Sequence, residues 1–244
     1  VSDSCPQCGG LGLLKGERGS YPCPCQQEAS RKARVKRIGI PEAFADCTLE
    51  NYIAGPHSYH ALMTSKRYVE EFIPGKTRLG LLFTGTVGVG KTHLAVGIVR
   101  KLAEIKGVET LMVDMRKMFD SLRVSYDRRD EHSQESHGQI LRPIFKNDLI
   151  LMDELGAAKP SDWVTEIIEY VIGTAYNRAL PMIATTNLPN AAAGGIDENQ
   201  YARTTRPTTL GDRIGARMWS RLQQMCKVVQ IIGPDWRRNE RLGI

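Results

Sequence analysis

From Leu79 onward, short apolar runs alternate with longer stretches in which apolar residues recur every third or fourth position. The first pattern suits a strand buried on both faces, the second a helix with one buried stripe. Their alternation predicts a parallel sheet covered on both sides by helices. Strands are expected at 79–83, 110–113, 148–152, 181–185 and 226–232, and helices at 92–106, 116–126, 162–178 and 210–222. In the first of these helices Leu94, Ala95, Ile98, Val99, Leu102 and Ile105 share one face. Ahead of this block, 59–72 reads as a helix ended by Pro74-Gly75. Residues 1–27 and 42–58 show neither period, and the polar stretches 127–138 and 190–209 read as surface loops.

Three parts follow from this pattern. Residues 1–28 form a cysteine-rich module. Residues 29–58 form a basic linker and lead-in, the stretch with Arg31, Lys32, Arg34, Lys36 and Arg37 reading as a short helix and linker, and 59–244 form the α/β domain. The 244 residues suffice for one such domain and a small appendage. With 41% hydrophobic and 25% charged residues, the chain is globular rather than disordered. No apolar run reaches the length of a membrane span and no signal-peptide core is present, so the expected compartment is the cytoplasm. There the six cysteines would stay reduced. A net charge of +6 favours an anionic partner without separating nucleotide from nucleic acid. Arg128 and Arg129 offer charge to DNA, or are simply solvated.

The strongest chemistry is Gly85-Thr86-Val87-Gly88-Val89-Gly90-Lys91-Thr92, a complete GxxxxGK[ST] between an expected strand and an expected helix. Its glycines let backbone N–H groups curl around phosphates at a helix N-terminus. Lys91 would reach the β- and γ-phosphates of ATP, and the Thr92 hydroxyl would bind Mg²⁺. Asp148–Glu154 is an apolar strand ending in two carboxylates: Asp153 would hold the magnesium, and Glu154 would polarise the attacking water. Asn187 ends the next strand, where a polar side chain can orient that water. In the helix at 210–222, Leu210, Ile214, Met218 and Leu222 form an anchoring stripe, with Arg213, Arg217 and Arg221 one position around. Such an edge is either solvated or offers an arginine, Arg217 by preference, to a neighbouring subunit's ATP. Arg237, in Asp235-Trp236-Arg237-Arg238, would serve the nucleotide of its own subunit.

At the other end, Cys5-Pro6-Gln7-Cys8 and Cys23-Pro24-Cys25 give two close thiol pairs separated by fourteen residues. Cys5, Cys8, Cys23 and Cys25 can close a tetrahedral Zn²⁺ site, with an iron–sulfur cluster or plain reduced thiols as alternatives. Cys47 and Cys226 are isolated and read as small apolar residues.

Taken in order, Phe83–Ala95, Leu151–Gly156, Thr185–Leu188 and Leu210–Met218 resemble the DnaC/DnaI bacterial replicative helicase loaders. The stretch Ile40–Tyr52 resembles the segment leading into their ATPase domain, so the resemblance spans about residues 39–238. It implies an AAA+ αβα sandwich with a five-stranded parallel sheet and ATP with Mg²⁺ at a subunit interface. It also implies an ATP-dependent homo-oligomer on single-stranded DNA, and the replicative helicase as client. By the same resemblance Asn187 is the sensor I residue, Arg217 the trans-acting finger and Arg237 the sensor II residue. Some loaders carry a zinc-binding N-terminal domain. One feature departs from the family: the loop at 190–209 is longer. Too little chain follows the fifth strand for the full C-terminal lid domain of many AAA+ proteins, a domain the loaders commonly lack. Two alternatives share this core: an IstB-like transposition helper, and an ATP-gated DNA- or protein-binding clamp in which hydrolysis is incidental.

Overall fold

Leu149 and Leu151 face one helix layer while Ile150 and Met152 face the other, and the same alternation runs through a five-stranded parallel sheet. A computed structural model describes residues 5–16, 19–127, 141–195 and 208–239. Arg128, Arg129 and most of the two expected loops lie outside the described residues. The elements are β1 (Leu13–Gly16), β2 (Gly19–Pro22), α1 (Pro24–Arg37), α2 (Tyr59–Glu71), β3 (Gly80–Thr84), α3 (Lys91–Ile105), β4 (Thr110–Asp114) and α4 (Met115–Asp127). After them come β5 (Leu149–Asp153), α5 (Asp162–Asn177), β6 (Met182–Thr186), α6 (Leu210–Ile214), α7 (Ala216–Met225), β7 (Cys226–Gln230) and α8 (Trp236–Asn239). Short 3₁₀ turns occupy Glu42–Phe44 and Arg142–Lys146.

The sheet order is β4-β5-β6-β3-β7, every neighbour parallel. On one face α3 buries Leu94, Ala95, Ile98, Val99 and Leu102 together with α2, Phe83, Leu151 and Ile183. Each fully buried aliphatic side chain there contributes about 2 kcal/mol. On the other face Phe119 and Leu122 of α4, Ile168 and Val171 of α5, and Leu210, Ile214, Met218 and Leu222 close a second core over Ile150 and Met152. The result is an αβα sandwich.

One local reading changes, and the short helix expected in the basic stretch forms but begins earlier, at Pro24. The expected single helix at 210–222 is two: α6 ends at Gly215, whose φ of 81° lies in the left-handed region, and α7 starts immediately after it. The apolar stripe survives the break, because Leu210, Ile214, Met218 and Leu222 are all buried. At the N-terminus, α1 starts inside the cysteine module at Pro24 and runs to Arg37, across the boundary expected at residue 28. Its C-terminal half packs on α3, with Arg34 Nε donating to Ala103 O at 3.2 Å. Ile38, fully buried, then accepts the Met112 N–H at 2.7 Å and covers the β4 edge of the sheet.

Candidate nucleotide site and cysteine cluster

Strand order decides which side chains meet. Because β6 lies between β3 and β5, its tip separates the glycine loop after β3 from the carboxylates that end β5. Met152 pairs with Ala184, which brings Asp153 level with Thr185. The Thr185 hydroxyl donates to Asp153 Oδ1 at 2.6 Å, and the Thr92 hydroxyl, in the first turn of α3, donates to the same oxygen at 2.8 Å. Asp153 is buried, so these donors stand in for the water it has lost.

Glu154 follows in a left-handed conformation, φ 58°. For a residue with a Cβ this costs roughly 1–2 kcal/mol, and neighbouring bonds must hold it. Its N–H donates to Thr185 Oγ1 at 3.0 Å, and the Leu155 N–H donates to Thr185 O at 2.8 Å. Thr186 Oγ1 donates to Leu155 O at 2.8 Å. The turn lifts the Glu154 side chain to the mouth of the site, where Arg116 Nε meets its carboxylate at 2.8 Å.

The glycine loop is clamped from two distant parts of the chain. Gly90, φ 93°, lies so close to Tyr52 that a Cβ would come within 2.6 Å of the ring, and the Tyr52 hydroxyl donates to Val89 O at 3.2 Å. On the other side the Asp235 carboxylate fills the space a Cβ on Gly88 would need, and the Trp236 N–H donates to Gly88 O at 3.2 Å. His93 ties the lead-in to α3: its Nε2 lies 2.8 Å from Thr48 O, and its ring packs edge-on against Tyr52 at 5.2 Å. Lys91 is buried, with Nζ donating to Gly85 O at 2.9 Å and Thr86 O at 2.6 Å. Burial lowers its pKa to about 8, opposed by the charge of Asp153 and assisted by Arg237.

A cleft of about 230 Å³ opens above this arrangement, and Gly88, Gly90, Lys91, Thr92, Glu154, Asn187 and Arg237 all line it. The sequence-predicted residues Gly85, Thr86, Val87 and Val89 form the loop itself, and Asp153 lies just beneath, bonded to Thr92. Arg217 is exposed on α7 and does not line the cleft. The even arginine edge expected on one helix is not what forms. Arg213 turns inward, NH1 donating to Ala158 O at 3.1 Å, and Arg221 lies over the Tyr176 ring at 5.1 Å. Among the described residues Arg217 alone of the three projects without such a contact. Sequence reasoning missed Thr185, Tyr52 and Arg116. It also missed the wall of the cleft made by Phe44, Cys47 and Trp236. Each comes from a segment whose period says nothing about its tertiary neighbours.

The four N-terminal cysteines do converge: their Sγ atoms lie within 4.8 Å of one another. Cys5 and Cys23 are 3.8 Å apart, and Cys8 and Cys25 are 3.5 Å apart. A tetrahedron with metal–sulfur bonds of about 2.3 Å has edges of roughly 3.8 Å, so the two closest pairs are near that spacing and the four thiols could hold a metal ion. Backbone N–H groups of Cys8 and Gln7 lower the Cys5 thiol to about 6, while burial and the adjacent thiols raise Cys25 to about 12. Four thiolates this close repel one another unless a cation compensates them.

The sequence matches the IstB-like ATP binding protein family over residues 68–243. It is 25% identical over 176 residues to the replicative helicase loader DnaC of Escherichia coli (strain K12), covering 70% of this chain and 69% of that protein. The fold superposes on the crystal structure of the DnaC helicase loader with a TM-score of 0.62 at 25% identity, over 79% of this chain and 100% of that one. It also superposes on the crystal structure of DnaI with a TM-score of 0.58 at 24% identity, over 83% of this chain and 98% of that one.

Proposed function

Because the chain belongs to the IstB-like ATP-binding protein family and is an ATPase, we propose that its turnover serves to load a replicative DNA helicase onto single-stranded DNA. The observation that carries the catalytic half is the single cleft shared by Lys91, Thr92, Glu154, Asn187 and Arg237. Lys91 grips the β- and γ-phosphates, Glu154 polarises the attacking water and Asn187 orients it. Thr92 and Asp153 would hold magnesium, which when bound neutralises phosphate charge. Arg237 attends the nucleotide from its own subunit. Arg217, exposed and uncommitted, reaches the nucleotide of a neighbour in an ATP-dependent homo-oligomer.

The loading half rests on similarity to a replicative helicase loader. Residues 1–28 hold zinc through Cys5, Cys8, Cys23 and Cys25 and offer the helicase a docking unit, while 59–244 form the ATPase domain behind a lead-in at 29–58. Similarity to an insertion-sequence ATP-binding protein of Geobacillus stearothermophilus, 31% identical over 107 residues, favours one other reading, a transposition helper, for which contact with duplex DNA is expected. Affinity capture of the replicative helicase from the same cell, with ATP and without, separates them. Capture that depends on the N-terminal module supports loading. Tight ATP-independent binding to duplex with no helicase captured supports the transposition helper.

A further inference from the structure

One side chain at the tip of β6 is bonded to both acidic residues. We propose that Thr185 is a positioning residue for hydrolysis, its hydroxyl setting the directions of Asp153 and Glu154; the inference rests on the roles proposed above for those carboxylates. A hydroxyl has one proton and two lone pairs. The proton goes to Asp153 Oδ1 at 2.6 Å, and a lone pair accepts the Glu154 N–H at 3.0 Å. Making both bonds at once fixes the hydroxyl's own rotamer. Consecutive acidic residues with different tasks are thereby referred to a single atom.

The backbone of the same residue completes the brace. Thr185 O accepts the Leu155 N–H at 2.8 Å, so Thr185 takes the amide on either side of the Glu154 α-carbon. Glu154 is the residue at φ 58°, a conformation that side chains with a Cβ leave unless they are held. With the hydroxyl gone, its amide loses an acceptor in a place where Thr185 is 1% exposed and water has little access. The peptide can then relax and swing the carboxylate off the cleft. Asp153 Oδ1 would keep the Thr92 hydroxyl at 2.8 Å but lose the shorter of these two bonds. The phosphate grip of Lys91 involves neither bond, so the effect belongs to turnover rather than to nucleotide affinity.

The test exploits the two halves of the threonine side chain. Thr185→Val keeps the shape and removes the hydroxyl, whereas Thr185→Ser keeps the hydroxyl and removes the methyl. For the full chain we expect Thr185→Val to lower kcat by about 10- to 100-fold, the usual penalty for removing a group that orients a ligand or base. Its KM for ATP should move by less than about threefold. The magnesium concentration for half-maximal turnover should rise. Thr185→Ser should restore most of kcat and the magnesium dependence. A role in packing alone reverses this order, because serine then suffers more than valine, and that result overturns the proposal. So does a folded Thr185→Val with wild-type kcat. If Thr185→Val does not fold, Thr185→Ala is read against Thr185→Ser: both lose the methyl, so a folded Thr185→Ala with the kcat of Thr185→Ser overturns the proposal. Glu154→Gln separates the inference from its premise. If Glu154→Gln turns over like wild type, the role of Glu154 falls. If it is inactive while Thr185→Val is fully active, only the role of Thr185 falls.

Discussion

Arg116 Nε lies 2.8 Å from Glu154 Oε2, joining the first turn of α4 to the left-handed residue that follows β5. Both side chains are partly exposed, at 65% and 39%, so the pair is worth at most about 1 kcal/mol and opens readily. While closed, it occupies Oε2, one of the two oxygens through which the proposed base could meet the attacking water. We expect Arg116→Ala to raise basal ATP turnover several-fold with nucleotide affinity unchanged, since Arg116 does not line the nucleotide cleft. Wild-type turnover should approach that of the variant as salt rises, because exposed pairs are screened. Slower hydrolysis by Arg116→Ala would mean that the arginine supports the base rather than restraining it.

Nucleotide binding should take up a proton in alkaline solution. Burial lowers the Lys91 ammonium to about 8 before a phosphate arrives. Phosphate oxygens favour the charged form and raise that value, so above about pH 8 the lysine must be reprotonated on binding. Affinity is therefore level below that pH and falls as pH rises through it. Calorimetric titration at about pH 9 in two buffers of different ionisation heat should register up to one proton per ATP. Lys91→Ala should lose both this uptake and ATP binding, whereas Glu154→Gln should keep both. Equal ATP affinity in wild type and Lys91→Ala would remove the phosphate-site assignment.

Much of this site is legible in the sequence because its grammar is local. A buried strand, a glycine turn with Lys91-Thr92 and a helix must follow one another, and Asp153-Glu154 must end a later buried strand of the same sheet. The roof over the loop is not local: Tyr52 comes from the stretch at 42–58, which shows no period, and Asp235 arrives from beyond β7. The N-terminal hairpin was illegible for a different reason. Its strands pair Leu13 with Pro22 and Leu14 with Tyr21, yet bury almost nothing, so no apolar alternation marks them. The break at Gly215 was hidden because the apolar stripe runs through it, although a glycine ending one helix is itself a signal.

Arg217 is testable by mixing. Exposed on α7 and outside its own cleft, it should leave nucleotide binding by isolated Arg217→Ala subunits unchanged while assemblies lose hydrolysis. Adding Lys91→Ala subunits should restore part of the activity, because interfaces then form in which an intact cleft meets an intact arginine. Arginines acting in this way are worth about 10³-fold or more in turnover, so even a minority of mixed interfaces is measurable. Confirmed co-assembly with no recovery at any ratio would rule out action in trans. Arg213 makes the contrasting control: it is spent on Ala158 O within its own subunit, so its replacement should lower thermal stability and mixing should rescue nothing.

The cysteine cluster should matter to α1 before it matters to ATP. Cys23 caps α1 and Cys25 lies in its first turn, so a metal held by the four thiolates would fix the start of a helix whose other end is fixed by Arg34 and Ile38. The first half of α1 has no buried residue of its own and a basic, polar composition, so little else holds it helical. Zinc binding by such clusters is worth roughly 10–16 kcal/mol at neutral pH, far more than the packing of this short segment. We expect one zinc per chain by elemental analysis. Stripping it with a strong chelator, or Cys5→Ser with Cys8→Ser, should reduce helical signal and open the hairpin to protease. ATP affinity should stay within about threefold, because no cleft residue belongs to the module and the anchors at Arg34 and Ile38 persist. Deleting residues 1–28 should do the same and abolish helicase capture. A chelated protein that keeps helicase affinity while its N-terminus is digested would move the docking surface onto the ATPase domain, and iron in place of zinc would make the cluster redox-active instead.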